Sequence, residues 1–124
     1  MWETLFWAYL ANVTFLLVHE MDSAYWKEWE LFHLPGGPGF FMAIHLPIVW
    51  LALWGVRQIA MAQPAGALLA LVLGGAGTAG FCLHAFFIKT GHPEFRTPVS
   101  LVLIGGMLVS SLAAVAASLR VLAG

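Results

Sequence analysis

Long apolar stretches divide the chain into four predicted helices, at about residues 4–21, 39–60, 65–88 and 98–119. A membrane span needs about 20 mostly apolar residues, and a helix satisfies its own backbone hydrogen bonds within lipid. Proline and glycine at 35–39, 63–64 and 90–93 interrupt the pattern and end the helices. We therefore predict a single all-α domain, an integral membrane four-helix bundle with both termini on the same side.

The segment between the first two predicted spans has a helical pattern of its own. Trp26, Trp29 and His33 recur at helical spacing. This pattern predicts a short helical segment lying in the membrane interface, or an extension of the first helix beyond the lipid. Trp2 and Trp7 near the other end of the first helix complete the aromatic belts expected at two interfaces.

Composition agrees with a membrane protein. Hydrophobic residues make up 61% of the 124 residues and charged residues 9%, against about a quarter charged in soluble domains. This excludes a cytosolic enzyme, a nucleic-acid binder and a disordered segment. The single cysteine, Cys82, excludes an internal disulfide. Two basic residues on the side of the termini and three on the other are too even to set an orientation.

With both termini on one side, the histidines and all but one of the acidic residues fall toward the opposite side. These are the five histidines and five of the six acidic residues: His19, His33, His45, His84, His92, Glu20, Asp22, Glu28, Glu30 and Glu94. Histidine is not needed to anchor a helix at an interface, so this clustering indicates a shared site. Polar stripes of this kind face the interior of a bundle.

The predicted site has the ligands of a metal ion. The candidate ligands His19, Asp22, His45 and His84 come from three helices at similar depth. His92 is a further candidate ligand, and with Glu94 it is expected to form a loop over them. Imidazole with carboxylate suits zinc, iron or manganese, and imidazole alone also suits copper. A metal-bound water would allow metal-assisted hydrolysis, and iron would allow oxidation, of a lipid-soluble substrate.

Three carboxylates are candidates for orienting a ligand or moving protons: Glu20, Glu28 and Glu94. Glu20 points about 100° away from His19 on the helix and is the weaker of these. Glu28 is opposite His19 on a continuous helix, so it joins the site only if the chain bends after Asp22.

Three other interpretations stay open. The same residues could form a purely structural hydrogen-bond network between helices. His45 and His84 could be the axial ligands of a non-covalent haem b in a quinone-binding subunit. The chain could also be an accessory subunit of a larger respiratory or photosynthetic complex, or a homo-oligomer, docking through small residues of the fourth helix: Gly106, Ser110, Ala114 and Ser118.

Several short motifs resemble a family of small bacterial four-helix membrane proteins of unknown function. The matching positions are His19-Glu20-Met21-Asp22, Glu28-Trp29, His45-Leu46-Pro47, His84 and His92-Pro93-Glu94-Phe95. Met21 and Glu30 depart from the Leu and Arg of that signature. A weaker similarity is to membrane proteins with a His-x-x-Glu-Glu motif. The resemblance implies the bacterial inner membrane and the same site residues, and it implies no reaction.

Overall fold

The computed structural model describes residues 1–124 and consists of five helices. They are α1 (Trp2–Tyr25), α2 (Glu28–Leu31), α3 (Gly37–Ala60), α4 (Pro64–Lys89) and α5 (Pro98–Ala123). The chain is thus all-helical, and each long helix reaches a few residues beyond its predicted bounds. The short α2 lies between the first two long helices, where the tryptophan spacing predicts a separate helical segment.

The ends of the helices follow from local chemistry. Pro64 and Pro98 each occupy the first turn of a helix, where the missing amide hydrogen costs nothing. Thr97 caps α5, since its side-chain oxygen accepts a hydrogen bond from the Ser100 amide at 3.1 Å. After α1 the chain turns at Lys27, whose φ is 52°. This left-handed turn separates α2 from α1 and changes the direction of the chain.

A buried apolar cluster joins the four long helices at one end. It includes Leu5 of α1, Ile59 of α3, Ala67 of α4 and Ala117 of α5. The beginning of α1 therefore lies beside the end of α3, and the beginning of α4 lies beside the end of α5. Consecutive long helices run in opposite directions.

Side-chain hydrogen bonds tie the long helices together away from the loops. Asn12 of α1 is fully buried and donates to Ser111 of α5, with a nitrogen–oxygen distance of 2.7 Å. Tyr9 donates to the Ala52 carbonyl of α3 at 3.0 Å, and Ser118 donates to the Ala67 carbonyl of α4. Each bond satisfies a polar group that would otherwise be buried without a partner.

The row of small residues on α5 packs within the chain. Ser110, Ala114 and Ser118 are buried, and a side chain at Gly106 would collide with the ring of Phe15 on α1. Small residues allow helices to approach closely. Most of the ridge proposed for docking is therefore covered by α1 and α4, whereas Gly106 is half-buried and borders a surface groove.

Three of the helices, α3, α4 and α5, are long and apolar enough to cross a membrane. Their outer surfaces expose large apolar side chains, among them Leu46, Val72 and Val102. Soluble monomers rarely expose apolar patches of this extent. The α1 helix is not among the three because it carries more polar residues, including the buried Asn12 and His19.

Replacing Asn12 tests the contact between α1 and α5. Asn12→Ala removes the bonds to Ser110 and Ser111, so we expect the free energy of unfolding to fall by about 1–2 kcal/mol. Thermal unfolding in detergent measures this. Thr14→Ala is the matched control, because Thr14 is exposed and bonds only the Leu10 carbonyl of its own helix. Equal melting temperatures for the two variants would show that the Asn12 contact does not stabilise the fold.

Candidate functional site

A cavity of about 240 Å³ lies between α1, α3 and α4, beside α2. Its walls are mostly apolar, with Val13, Ala52 and Leu73 among them. Its polar lining comes from four elements: His19, Glu20, Glu28, His45 and His84. His19, His45 and His84 come from three helices and all line this cavity, and two of the candidate carboxylates line it with them.

Glu20 and His45 form a direct side-chain contact at the cavity. Glu20 Oε2 lies 2.7 Å from His45 Nε2, and His45 Nδ1 lies 2.6 Å from the Phe41 carbonyl oxygen. A carbonyl only accepts, so Nδ1 carries a hydrogen, and a neutral imidazole has no second one. Either His45 is an imidazolium that donates to Glu20, or a protonated Glu20 donates to His45. The two side chains thus share one proton and connect α1 to α3.

His19 and His84 pack against each other in the deepest part of the site. Their ring centroids are 4.6 Å apart with an angle of 83° between the planes, and both side chains are almost completely buried. His19 Nε2 lies 3.4 Å from the Ser23 hydroxyl. The Nδ1 atoms of both histidines are buried without a hydrogen-bond partner. Each ring therefore has an unused polar atom, which is uncommon in a folded protein.

Phe95 covers the two histidines from the loop between α4 and α5. Its ring centroid lies 4.3 Å from that of His84 and 6.0 Å from that of His19. Phe95 is 1% exposed and has a φ of 65°, a conformation that is rare for a bulky residue. The loop adopts this costly backbone geometry while placing an aromatic ring over the histidines.

Glu28 reaches the cavity from α2, because the turn at Lys27 brings the chain back toward the helices. Its Oε1 lies 3.5 Å from His84 Nε2, and its side chain is 12% exposed. Burial raises the pKa of Glu28 to about 7. The hydrogen bond from Ser23 acts in the opposite direction, because it favours the charged form of the carboxyl. The bend required for Glu28 to join the site is therefore present, although it comes at Lys27, five residues after Asp22.

The remaining predicted site residues do not line the cavity. One Asp22 carboxylate oxygen is buried without a partner. The His92 side chain is 43% exposed and lies 3.7 Å from Glu94, with its ring against Phe87. His33 is exposed. The loop that was expected to cover the site with His92 and Glu94 covers it with Phe95 instead.

The arrangement of the site side chains limits which of them could bind a metal ion or a haem iron. No group of three or more His, Cys, Asp or Glu side chains is arranged to hold a metal ion. Both nitrogens of His45 have partners, so it would have to release Glu20 or Phe41 before binding a metal or a haem iron. The nitrogens free to act as ligands are those of His19 and His84.

The sequence matches one known protein family. Residues 5–121 match the family of unknown function DUF6713. The chain belongs to this family. No curated protein and no solved structure matches the chain. The matched range includes all the residues that line the cavity, and it agrees with the resemblance to an uncharacterised family.

Sequence reasoning underrated two residues of the site. Glu20 ranks low when helix α1 is considered alone, because it points away from His19. Its partner His45 lies on α3. The packing of the helices determines which face of α1 contacts α3, and the sequence of α1 alone does not show this. In the sequence, Phe95 is distinguished only as the last residue of the His92-Pro93-Glu94-Phe95 motif. The signal that could have identified it is a large aromatic residue in a short polar loop, next to the loop histidine.

Glu28→Gln tests the burial of that carboxyl. The pKa of Glu28 in the folded protein lies above the ordinary value of 4.5. The neutral carboxyl therefore contributes to the free energy of unfolding at low pH, and this contribution is lost as the pH rises through about 7. Glutamine stays neutral, so the stability of Glu28→Gln relative to the unchanged chain should increase between about pH 5 and about pH 8.5. Thermal unfolding in detergent at the two values measures the difference.

Glu30→Gln is the control for this experiment. Glu30 is 65% exposed and faces Lys27 at 3.8 Å, so its replacement should show no such increase. A relative stability of Glu28→Gln that stays constant with pH would contradict the burial of Glu28.

Proposed function

We propose that this chain is a four-span integral membrane protein that binds a small lipid-soluble molecule in the cavity between α1, α3 and α4. The observation that carries the proposal is the cavity itself. It has apolar walls, and its polar groups are gathered toward the end where α2 and the loop with Phe95 lie. Ligand sites combine mostly apolar walls with a few placed polar groups.

The fourth span of the proposal is α1. Its most polar residues face other helices, since Asn12 and His19 are buried, whereas Trp7, Val18 and Met21 are exposed. An apolar outer face with a polar inner face suits a membrane helix packed against neighbours. With four antiparallel spans, both termini lie on one side of the bilayer and the cavity opens near the other.

The unused nitrogens indicate the kind of molecule. His19 Nδ1 and His84 Nδ1 lack partners, and once a ring turns toward the cavity, a hydroxyl or carbonyl group of a bound molecule would satisfy its nitrogen. An anionic head is disfavoured by Glu20 and Glu28, which both line the cavity. We therefore propose a neutral molecule with a hydroxyl or carbonyl head.

A photoreactive alcohol tests this proposal. The probe is an eight-carbon alcohol with a diazirine at carbon 3, applied to the chain in phosphatidylcholine nanodiscs. We expect adducts on Leu73, a half-buried residue of the cavity wall, mapped by peptide mass spectrometry. Ala76→Phe fills the cavity and should reduce these adducts about tenfold, equivalent to about 1.4 kcal/mol.

Ala79→Phe is the matched control, because Ala79 lies on the same helix, is exposed and does not line the cavity. It should leave the labelling of Leu73 unchanged. Adducts distributed over the outer surface, with no response to Ala76→Phe, would refute binding in the cavity.

A metal ion at His19 and His84 is the second candidate. The observation that favours it is the pair of buried, unpartnered Nδ1 atoms on rings 4.6 Å apart. Glu28 faces the other ring nitrogen of His84, Nε2, at 3.5 Å, so the remaining ligands of an ion on the Nδ1 atoms would be water or a bound molecule. Imidazole with a carboxylate suits zinc, iron or manganese, and imidazole alone suits copper.

Metal analysis of the purified chain, prepared without a histidine tag, tests the second candidate. We expect about one zinc, iron, manganese or copper ion per chain, as in other mononuclear sites, and its loss in His19→Ala. His33→Ala is the control, because His33 is exposed. A metal content at background level in the unchanged chain would rule this candidate out.

A further inference from the structure

We infer that the bound molecule is a single-tailed neutral lipid, with its head in the cavity and its tail in an outer groove between α1 and α3. This inference rests on the proposed function and specifies the class of ligand. The groove has a volume of about 470 Å³. Met21 and Met42 on its two sides are 70% and 57% exposed, so it faces the hydrocarbon of the proposed bilayer.

The groove and the cavity have a common wall. Four residues line both of them: Leu17, Glu20, His45 and Val49. A molecule that occupies both volumes has to pass between α1 and α3 at this wall. The Glu20–His45 pair therefore stands where the head of the ligand joins its tail.

Little holds α1 and α3 together at this wall. Two side-chain hydrogen bonds join α1 and α3, and only the Glu20–His45 contact lies at this end of the helices. The other, from Tyr9 to the Ala52 carbonyl, lies farther along them. Pro47 lies inside α3, two residues after His45. Proline removes a helical hydrogen bond and is a common position for bending. Separation of the helices here breaks one polar contact at a weak point of α3.

The sizes of the two volumes favour a molecule longer than the cavity. Pockets for drug-sized ligands measure about 300–1,000 Å³, and the cavity, at about 240 Å³, is smaller. It accommodates a head and a short length of chain. The rest of the molecule needs an adjoining apolar volume, which the groove supplies for one tail.

A second photoreactive alcohol tests the position of the tail. The probe is hexadecanol with a diazirine at carbon 12, used in the same nanodiscs beside the eight-carbon probe. We expect carbon-12 adducts at Met21 and Met42. Ala24 lines the groove and not the cavity, so Ala24→Trp should reduce these adducts about tenfold while the eight-carbon probe still labels Leu73.

Ala11→Trp is the matched control. Ala11 is an exposed residue of α1 that lines a different surface groove, between α1 and α5, and its replacement should leave both labelling patterns unchanged. Retained cavity labelling by the short probe also shows that Ala24→Trp is folded.

Two results would overturn the inference, and they differ in what they say about the proposed function. Cavity labelling by the short probe, with carbon-12 adducts spread over the outer surface and insensitive to Ala24→Trp, refutes the position of the tail and leaves cavity binding intact. Absence of cavity labelling by both probes refutes the proposed function and the inference together.

Discussion

Polar groups between long apolar helices must find their partners within the chain, because neither hydrocarbon nor packed side chains replace water. At one end of the molecule this constraint holds the helices together: Tyr9 bonds the Ala52 carbonyl, and Ser118 bonds the Ala67 carbonyl. At the other end the pairing is incomplete, since His19 and His84 each keep a buried nitrogen without a partner. Under the proposed function, these nitrogens are the groups that a bound molecule would satisfy.

Much of the architecture could be predicted from the sequence, because it depends on local signals. Apolar runs of spanning length and proline or glycine breaks define all four long helices, and their antiparallel order follows from the short connections. That order alone brings His19, His45 and His84 to the same end. The three histidines lie at similar depths along their helices, and in the structure they line one cavity.

The contacts inside the site could not be predicted in this way. Each depends on the rotation of one helix relative to its neighbour, which the packing of the whole chain sets. Glu20 meets His45 because α1 turns that edge toward α3, and Glu28 meets His84 because of a single left-handed residue, Lys27. Phe95 is inserted by another positive φ in a loop. A non-glycine residue gives little sign in the sequence that it will adopt this conformation.

The shared proton of Glu20 and His45 explains how a polar pair can stand in an apolar wall. An isolated charge there would be costly, whereas the pair keeps its charges or its neutral groups matched whichever side chain holds the proton. Separation of α1 and α3 would leave both side chains without partners. A hydroxyl or carbonyl head could replace part of the lost hydrogen bonding as it passes, whereas a hydrocarbon chain could not. The same contact would then close the empty cavity and select for molecules with a polar head.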